Sequence, residues 1–227
     1  MEGSNTREKI LKKIRAALLE KTNDPFPGID NNSQIFSGSD EDPVVVFSDR
    51  FTEAGGKFFL CENELEFVEG LLDISEQYKW TNIYCGEEDL SNLLTECEFP
   101  HEFELNMQRI EVAITSCECL VARNGSIVVS SSSSGFVLPV YAPVHVVCAR
   151  SSQIALEMKD ALHWLKHKYE KLPSGITFIS GTSGNRGYAN EEVKVGHGSQ
   201  QVYIFLIDDK DRGHIESAPE EQSQNND

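Results

Sequence analysis

Residues 144–180, VHVVCARSSQIALEMKDALHWLKHKYEKLPSGITFIS, decide the fold class. The stretch opens on Val144–Ala149, a short apolar run suited to a strand buried on both faces. Ser151 or Ser152 then offers a helix N-cap. Ile154, Met158, Ala161, Leu162, Leu165 and Tyr169 follow at the spacing of one helical face. Ile176–Ile179 reads as the next strand. Strand, amphipathic helix and strand in succession predict parallel β-structure with a helical crossover.

The same alternation extends in both directions. Upstream, Val44–Phe47 and Lys57–Cys61 read as short strands. Asn63, with Glu66 three residues later, marks a helix start, and Leu65, Val68, Leu71, Leu72 and Tyr78 continue it. Asn82–Cys85 reads as a strand and Glu87–Thr95 as a short helix. Val112–Thr115 and Cys117–Ala122 are strands, Asn124-Gly125 a hairpin-type turn, and Ser126–Val129 the returning strand. Val202–Ile207 completes the set. The prediction is an α/β fold, a mostly parallel sheet flanked by helices, with a helical N-terminal arm.

The flanks differ. Asn5 and Glu8 give a helix-start signal, and Ile10, Leu11, Ile14, Ala17 and Leu18 form an apolar stripe. Residues 1–21 therefore read as an amphipathic helix able to dock partners. Residues 22–43 are a polar linker rich in Asn, Asp, Ser, Gly and Pro. Residues 44–208 form the α/β domain, and 209–227 an acidic tail.

Twenty Lys and Arg against 37 Asp and Glu give a formal charge of −17. Such a chain repels phosphate backbones and anionic lipid, so no nucleic-acid partner is expected. Its basic residues gather only at Arg7–Arg15 and Lys159–Lys171, each readable as the solvated face of a helix. The charged N-terminus has no apolar signal core, and no apolar run reaches the ~18 residues of a membrane span. The six cysteines, Cys61, Cys85, Cys97, Cys117, Cys119 and Cys148, lie mostly in apolar strand-like runs, which predicts reduced, buried thiols and a cytoplasmic chain.

Two stretches rich in residues that expose backbone N–H groups are expected at the carboxyl ends of strands, where open α/β sheets place ligands. One is Arg123-Asn124-Gly125-Ser126 with Ser130–Gly135. The other runs from Gly181-Thr182-Ser183-Gly184-Asn185-Arg186-Gly187 to Gly196-His197-Gly198-Ser199. Their glycines, hydroxyls and Arg186 are suited to cradling a carboxylate or phosphate, or equally to making ordinary turns. Asn124, Gly125, Ser126, Ser183, Gly184, Asn185, Arg186, His197 and Gly198 are the candidate ligand-binding residues. His197 is the candidate proton carrier.

Sharper motifs do not fit. Asn185 stands where a nucleophile elbow needs glycine, Gly181, Gly184 and Gly187 do not have dinucleotide-loop spacing, and no Gly-Lys-Ser/Thr ending exists. Gly184-Asn185-Arg186-Gly187 matches the clamp of a KH module only superficially, in a chain of the wrong charge. His163 and His167 are four apart on a helix but lack an intervening Glu, so no metal site is assigned. Cys117-Glu118-Cys119 is not an iron–sulfur ligand run.

From residue 44 to 208 the order of elements resembles the LUD domain of lactate-utilisation protein C-like (YkgG-like) proteins. The resemblance rests on Val121-Ala122-Arg123-Asn124-Gly125-Ser126-Ile127-Val128 and on Leu138-Pro139 followed by Val144-His145-Val146-Val147. It rests also on Phe178-Ile179-Ser180-Gly181-Thr182-Ser183, His197-Gly198 and Ile204-Phe205-Leu206-Ile207-Asp208. The chain departs from the family at Thr182, where a proline is usual, and at Gly184–Gly187 and Ser199, which marks a divergent branch. The resemblance implies a fold like that of the NagB/RpiA/CoA transferase group and a part in oxidising lactate to pyruvate. It also implies that iron–sulfur clusters sit in partner proteins, with no cofactor in this chain. Arg123 stands before Asn124-Gly125 where a CoA transferase would carry its Glu nucleophile, so that reaction is not expected. Two functional readings follow: an accessory subunit of an iron–sulfur lactate-utilisation system that binds a small anion, or a stand-alone enzyme or binding protein for a sugar phosphate or acyl-CoA.

Overall fold

The computed structural model describes residues 6–19, 41–104, 106–132, 138–183, 198–209 and 215. They divide into two units, Met1–Ser39 and Asp40–Asp227. The first contributes α1 (Thr6–Leu19), the helix its apolar spacing predicts. Asn5, the expected cap, lies outside the described residues.

The second unit begins with α2 (Pro43–Glu53), which corrects the expectation of a strand at Val44–Phe47. The β-branched run suggested a strand, but Asp42 and Pro43 decide otherwise. The Asp42 carboxylate accepts from Val44 N at 2.8 Å, and proline at the first helical position gives up an N–H that has no intrahelical partner anyway. Phe47 and Phe51, one turn apart, are fully buried with rings stacked at 5.6 Å, each contributing about 1.5–3 kcal/mol of burial.

The chain continues through β1 (Lys57–Cys61), α3 (Glu64–Tyr78), β2 (Ile83–Tyr84), α4 (Glu88–Glu96), β3 (Val112–Thr115), β4 (Cys119–Val121) and β5 (Ser126–Ser130). Next come α5 (Leu138–Tyr141), β6 (Val144–Arg150), β7 (Ile154–Ala155), α6 (Met158–Lys168), β8 (Ile176–Ile179) and β9 (Gln201–Ile207). Asn63 caps α3 as its sequence predicts, accepting from Leu65 N and Glu66 N at 3.0 Å each. The buried stripe of α3 is Phe67, Val68, Leu71 and Ile74, whereas Leu65, Leu72 and Tyr78 are exposed.

Five strands form a wholly parallel sheet in the order β1-β9-β6-β3-β2, and four form a second, mixed sheet in the order β7-β4-β5-β8. The central parallel sheet flanked by helices is therefore present, with an addition. One face packs Tyr203, Phe205, Val146 and Ile114 against α3 and α4. The other packs Val147, Val202, Ile204 and Leu206 against α2 and the second sheet, whose far face is covered by Ala161 and Leu165 of α6.

The expected helix starting at Ser151 or Ser152 is also corrected. Residues Ser151–Gln153 make a 3-10 turn and Ile154-Ala155 a strand paired with β4. The helix begins at Met158, where Glu157 and Asp160 form a reciprocal cap. No helix among the described residues is long and apolar enough to cross a membrane.

Candidate functional site

Asn124–Ser126 and Ser180–Ser183 come together at the amino edge of the parallel sheet, not at the carboxyl ends of its strands as expected, whereas Ser130 lies at the far end of β5. Asn124 ends a 3-10 turn and is exposed, and Gly125 follows in the left-handed region at φ +61°. Ser126 is buried, its Oγ 2.5 Å from Ser180 Oγ. Gly181 follows at φ +88°, and Ser183 N donates to Ser199 O at 2.8 Å. Ser199 Oγ donates to Ala142 O at 2.7 Å, which ties the pair to the start of β6. Ser126, Ser183 and Gly198 are thus brought into one neighbourhood. Gly184, Asn185, Arg186 and His197 lie outside the described residues.

Packing accounts for two of the glycines. A Cβ on Gly125 would stand 2.5 Å from Phe51 N, and one on Gly181 would stand 2.4 Å from Ala54 O. Both loops are pressed on the end of α2, and positive φ is the conformation that glycine adopts without strain. Here the amides of Thr182 and Ser183 are taken up by Ala54 O and Ser199 O.

The opposite edge, at the carboxyl ends of the parallel strands, is rich in polar and sulfur groups that the sequence reading did not join. Glu87 receives Ser116 N on both carboxylate oxygens, 3.1 Å each. Asp209 accepts from Ser151 Oγ at 2.7 Å, Ser152 N at 2.8 Å and Ser152 Oγ at 2.6 Å. Burial opposes its charge, but these donors prevail and hold its carboxyl below the usual range. Arg150 pairs with Glu64 at 2.5 Å, a bond that raises its own pKa. Ser151 and Ser152 thus bind an acid from the far end of the chain instead of capping a long helix.

The thiols at this edge are held protonated. Burial pushes Cys61 up to about 11 and both Cys85 and Cys148 up to about 12, and Cys117 well above its ordinary value. All six cysteines are free. Thiols of this kind behave as small apolar groups, whereas metal ligation and nucleophilic attack require the thiolate. With Glu64, Glu87, Asp208 and Asp209 around it, this edge repels anions.

The family model described as the LUD domain matches residues 98–207. The chain carries a LUD domain. The matched segment runs from before β3 to the end of β9, so it holds the three central strands of the parallel sheet and all of the second sheet. Both edge strands are completed from residues ahead of it. Among solved structures, a DUF162-family protein from Deinococcus radiodurans shares the fold, with TM-score 0.57, 14% identity, and alignment over 75% of this chain and 99% of that one. No curated protein matches the chain by sequence.

Inside the LUD domain lie two buried polar centres. His145, fully buried on β6, has Nε2 2.8 Å from Thr115 Oγ1, while Nδ1 has no hydrogen-bond partner among the described residues. Burial drives its pKa down to about 3, so the ring is neutral. Glu118, buried between strands, receives Lys168 Nζ at 2.7 Å, Tyr169 Oη at 2.8 Å and Ser130 Oγ at 2.5 Å. Desolvation opposes its charge, yet these bonds keep its pKa lowered. The serine run beginning at Ser130 is anchored on this carboxylate, a partner that its low-complexity sequence could not reveal. His163 and His167 sit 3.4 Å apart on the exposed face of α6. Among the described residues no group of three or more His, Cys, Asp or Glu is placed to hold a metal.

Proposed function

We propose that this chain is an accessory subunit of an iron–sulfur system that oxidises lactate to pyruvate, working in the cytoplasm. The electron-carrying clusters belong to partner proteins, and the loops at Asn124–Ser126 and Ser183–Gly198 bind a small anion. The observation that carries the reading is the LUD-domain match over residues 98–207, a family associated with lactate utilisation.

The chemistry of the described residues supports it. The six cysteines, Cys61, Cys85, Cys97, Cys117, Cys119 and Cys148, contain no C-x₂-C-x₂-C run for a cluster. Free buried thiols also suit a reducing compartment. On the ligand side, the acidic carboxyl edge disfavours an anion, which leaves the amino edge, where Ser126, Ser180, Ser183 and Ser199 gather. Arg186 and His197 complete the proposed anion contact, Arg186 supplying charge and His197 a proton.

The test is deletion of the gene from its native host, followed by lactate-dependent reduction of an artificial acceptor in anaerobic extracts. The reading expects that activity to fall and to return when the chain is supplied in trans. Unchanged lactate oxidation in the deletion strain refutes it.

A further inference from the structure

On the face of the parallel sheet that packs against α3, an ammonium group is held by aromatic side chains. Lys57 opens the edge strand β1, beside Tyr203 in β9. Its Nζ donates to Tyr78 Oη at 3.1 Å and to Tyr203 Oη at 2.8 Å. It also lies 4.8 Å and 4.5 Å from the centroids of those rings, within cation–π range. Among the described residues the ion pairs engage other cations, not Lys57. In a chain with 37 acidic residues against 20 basic ones, an ammonium bonded to phenols instead of a carboxylate requires an explanation.

The surroundings are rigid on one side and open on the other. Tyr203 is buried to 1% exposure, and its hydroxyl donates to Gln201 Oε1 at 2.7 Å. Trp80 packs its edge on Tyr203 at 5.6 Å and stacks with Tyr78 at 6.0 Å. Lys79 makes that stack. It ends α3 in the left-handed conformation at φ 56°, which folds Trp80 back so that its N–H reaches Ser75 O at 3.0 Å. Tyr78 itself is 44% exposed. Two of the three ammonium donors are used by the phenols. Lys57 keeps a third donor, and Tyr78 a rotatable O–H, for an acceptor beside the Tyr78–Trp80 stack.

We propose that Lys57, Tyr78 and Trp80 form a binding site for a small monocarboxylate with an apolar body. Lys57 and the Tyr78 hydroxyl hold the carboxylate, and the Tyr78–Trp80 stack holds the body. A single cation suits a single negative charge, and the strongly acidic chain disfavours the dianionic phosphate that a cluster of arginines would take. Burial works against the Lys57 charge, but the bonds from the two phenols outweigh it and raise its pKa, so the ammonium is kept at neutral pH. The site uses none of the residues of the proposed anion contact, and it stands whether or not the chain joins a lactate-oxidising assembly.

The chain holds two tryptophans, Trp80 and Trp164, so the full-length Trp164→Phe variant reports on Trp80 alone. Its emission is titrated with cyclohexanecarboxylate, acetate, cyclohexanol and inorganic phosphate, with circular dichroism confirming the fold. The expected result is saturable binding of cyclohexanecarboxylate with Kd on the order of 1 mM or tighter. Acetate binds roughly tenfold more weakly, and cyclohexanol and phosphate do not saturate. Added Lys57→Gln weakens the carboxylate at least about tenfold. Tyr78→Phe, a change on an exposed ring, weakens it several-fold and keeps the test open if the lysine variant does not fold. No saturation up to about 100 mM, unchanged affinity in folded Lys57→Gln, or equal affinity for acetate or phosphate overturns the proposal.

Discussion

Gly125 and His145 carry the clearest single-residue consequences. Gly125 combines φ +61° with a backbone neighbour 2.5 Å from where a Cβ would stand. Gly125→Ala is therefore expected to cost about 2–4 kcal/mol, read as a fall in the urea midpoint. An unchanged midpoint would mean that α2 does not press on this turn. The sequence marked the turn, since Asn-Gly between two apolar runs is a hairpin signal, but the helix that makes glycine obligatory is remote in sequence and invisible there. His145 tests the interior. Its folded pKa of about 3 lies below the unfolded value near 6.5, so the unfolded chain binds the extra proton between those limits. Stability from this residue is full above about pH 6.5 and declines as pH falls toward 3, by about 2 kcal/mol between pH 7 and pH 5. His145→Gln should flatten that part of the stability–pH curve in chemical denaturation. The same slope in both proteins would show that the ring is not held neutral. Nothing in the run Val144-His145-Val146-Val147 distinguished a buried histidine from a ligand, because only its neighbours decide that.

At the scale of elements, sequence reading succeeded where local chemistry was decisive and failed where two local signals competed. Asn63 and Glu66 announced α3, and Val112–Thr115, Ile176–Ile179 and Val202–Ile207 announced their strands, because cap and period agreed. At residues 43–47 the valine run suggested a strand while Asp42-Pro43 specified a helix start, and the cap prevailed because Phe47 and Phe51 gain burial only in helical spacing. Removing that cap by Asp42→Ala should cost about 1 kcal/mol, with α2 amides gaining hydrogen exchange ahead of the rest of the domain. Equal exchange in α2 would assign its stability wholly to the two phenylalanines. Ser151-Ser152 misled in the opposite direction. Their hydroxyls suited an N-cap, but Asp209, nearly sixty residues away, claims them.

For the whole molecule, alternating strands and helices conveyed the central parallel sheet, yet not that a second sheet covers one of its faces. Short buried strands look alike in either sheet, and pairing partners such as β5 with β8 are set by tertiary packing. The candidate loops are described only in part: Ser126, Ser183 and Gly198 meet at the amino edge, whereas the contribution of Arg186 and His197 belongs to residues outside the description. The proposed function, in which redox groups belong to partner chains, rests on the LUD domain. The most direct measurement is anaerobic affinity purification of the tagged protein from its native host, with mass spectrometry of what accompanies it and an iron assay. The account predicts recovery of iron–sulfur proteins in fixed ratio to the chain, with iron following those partners. Recovery of the chain alone and free of iron would contradict it.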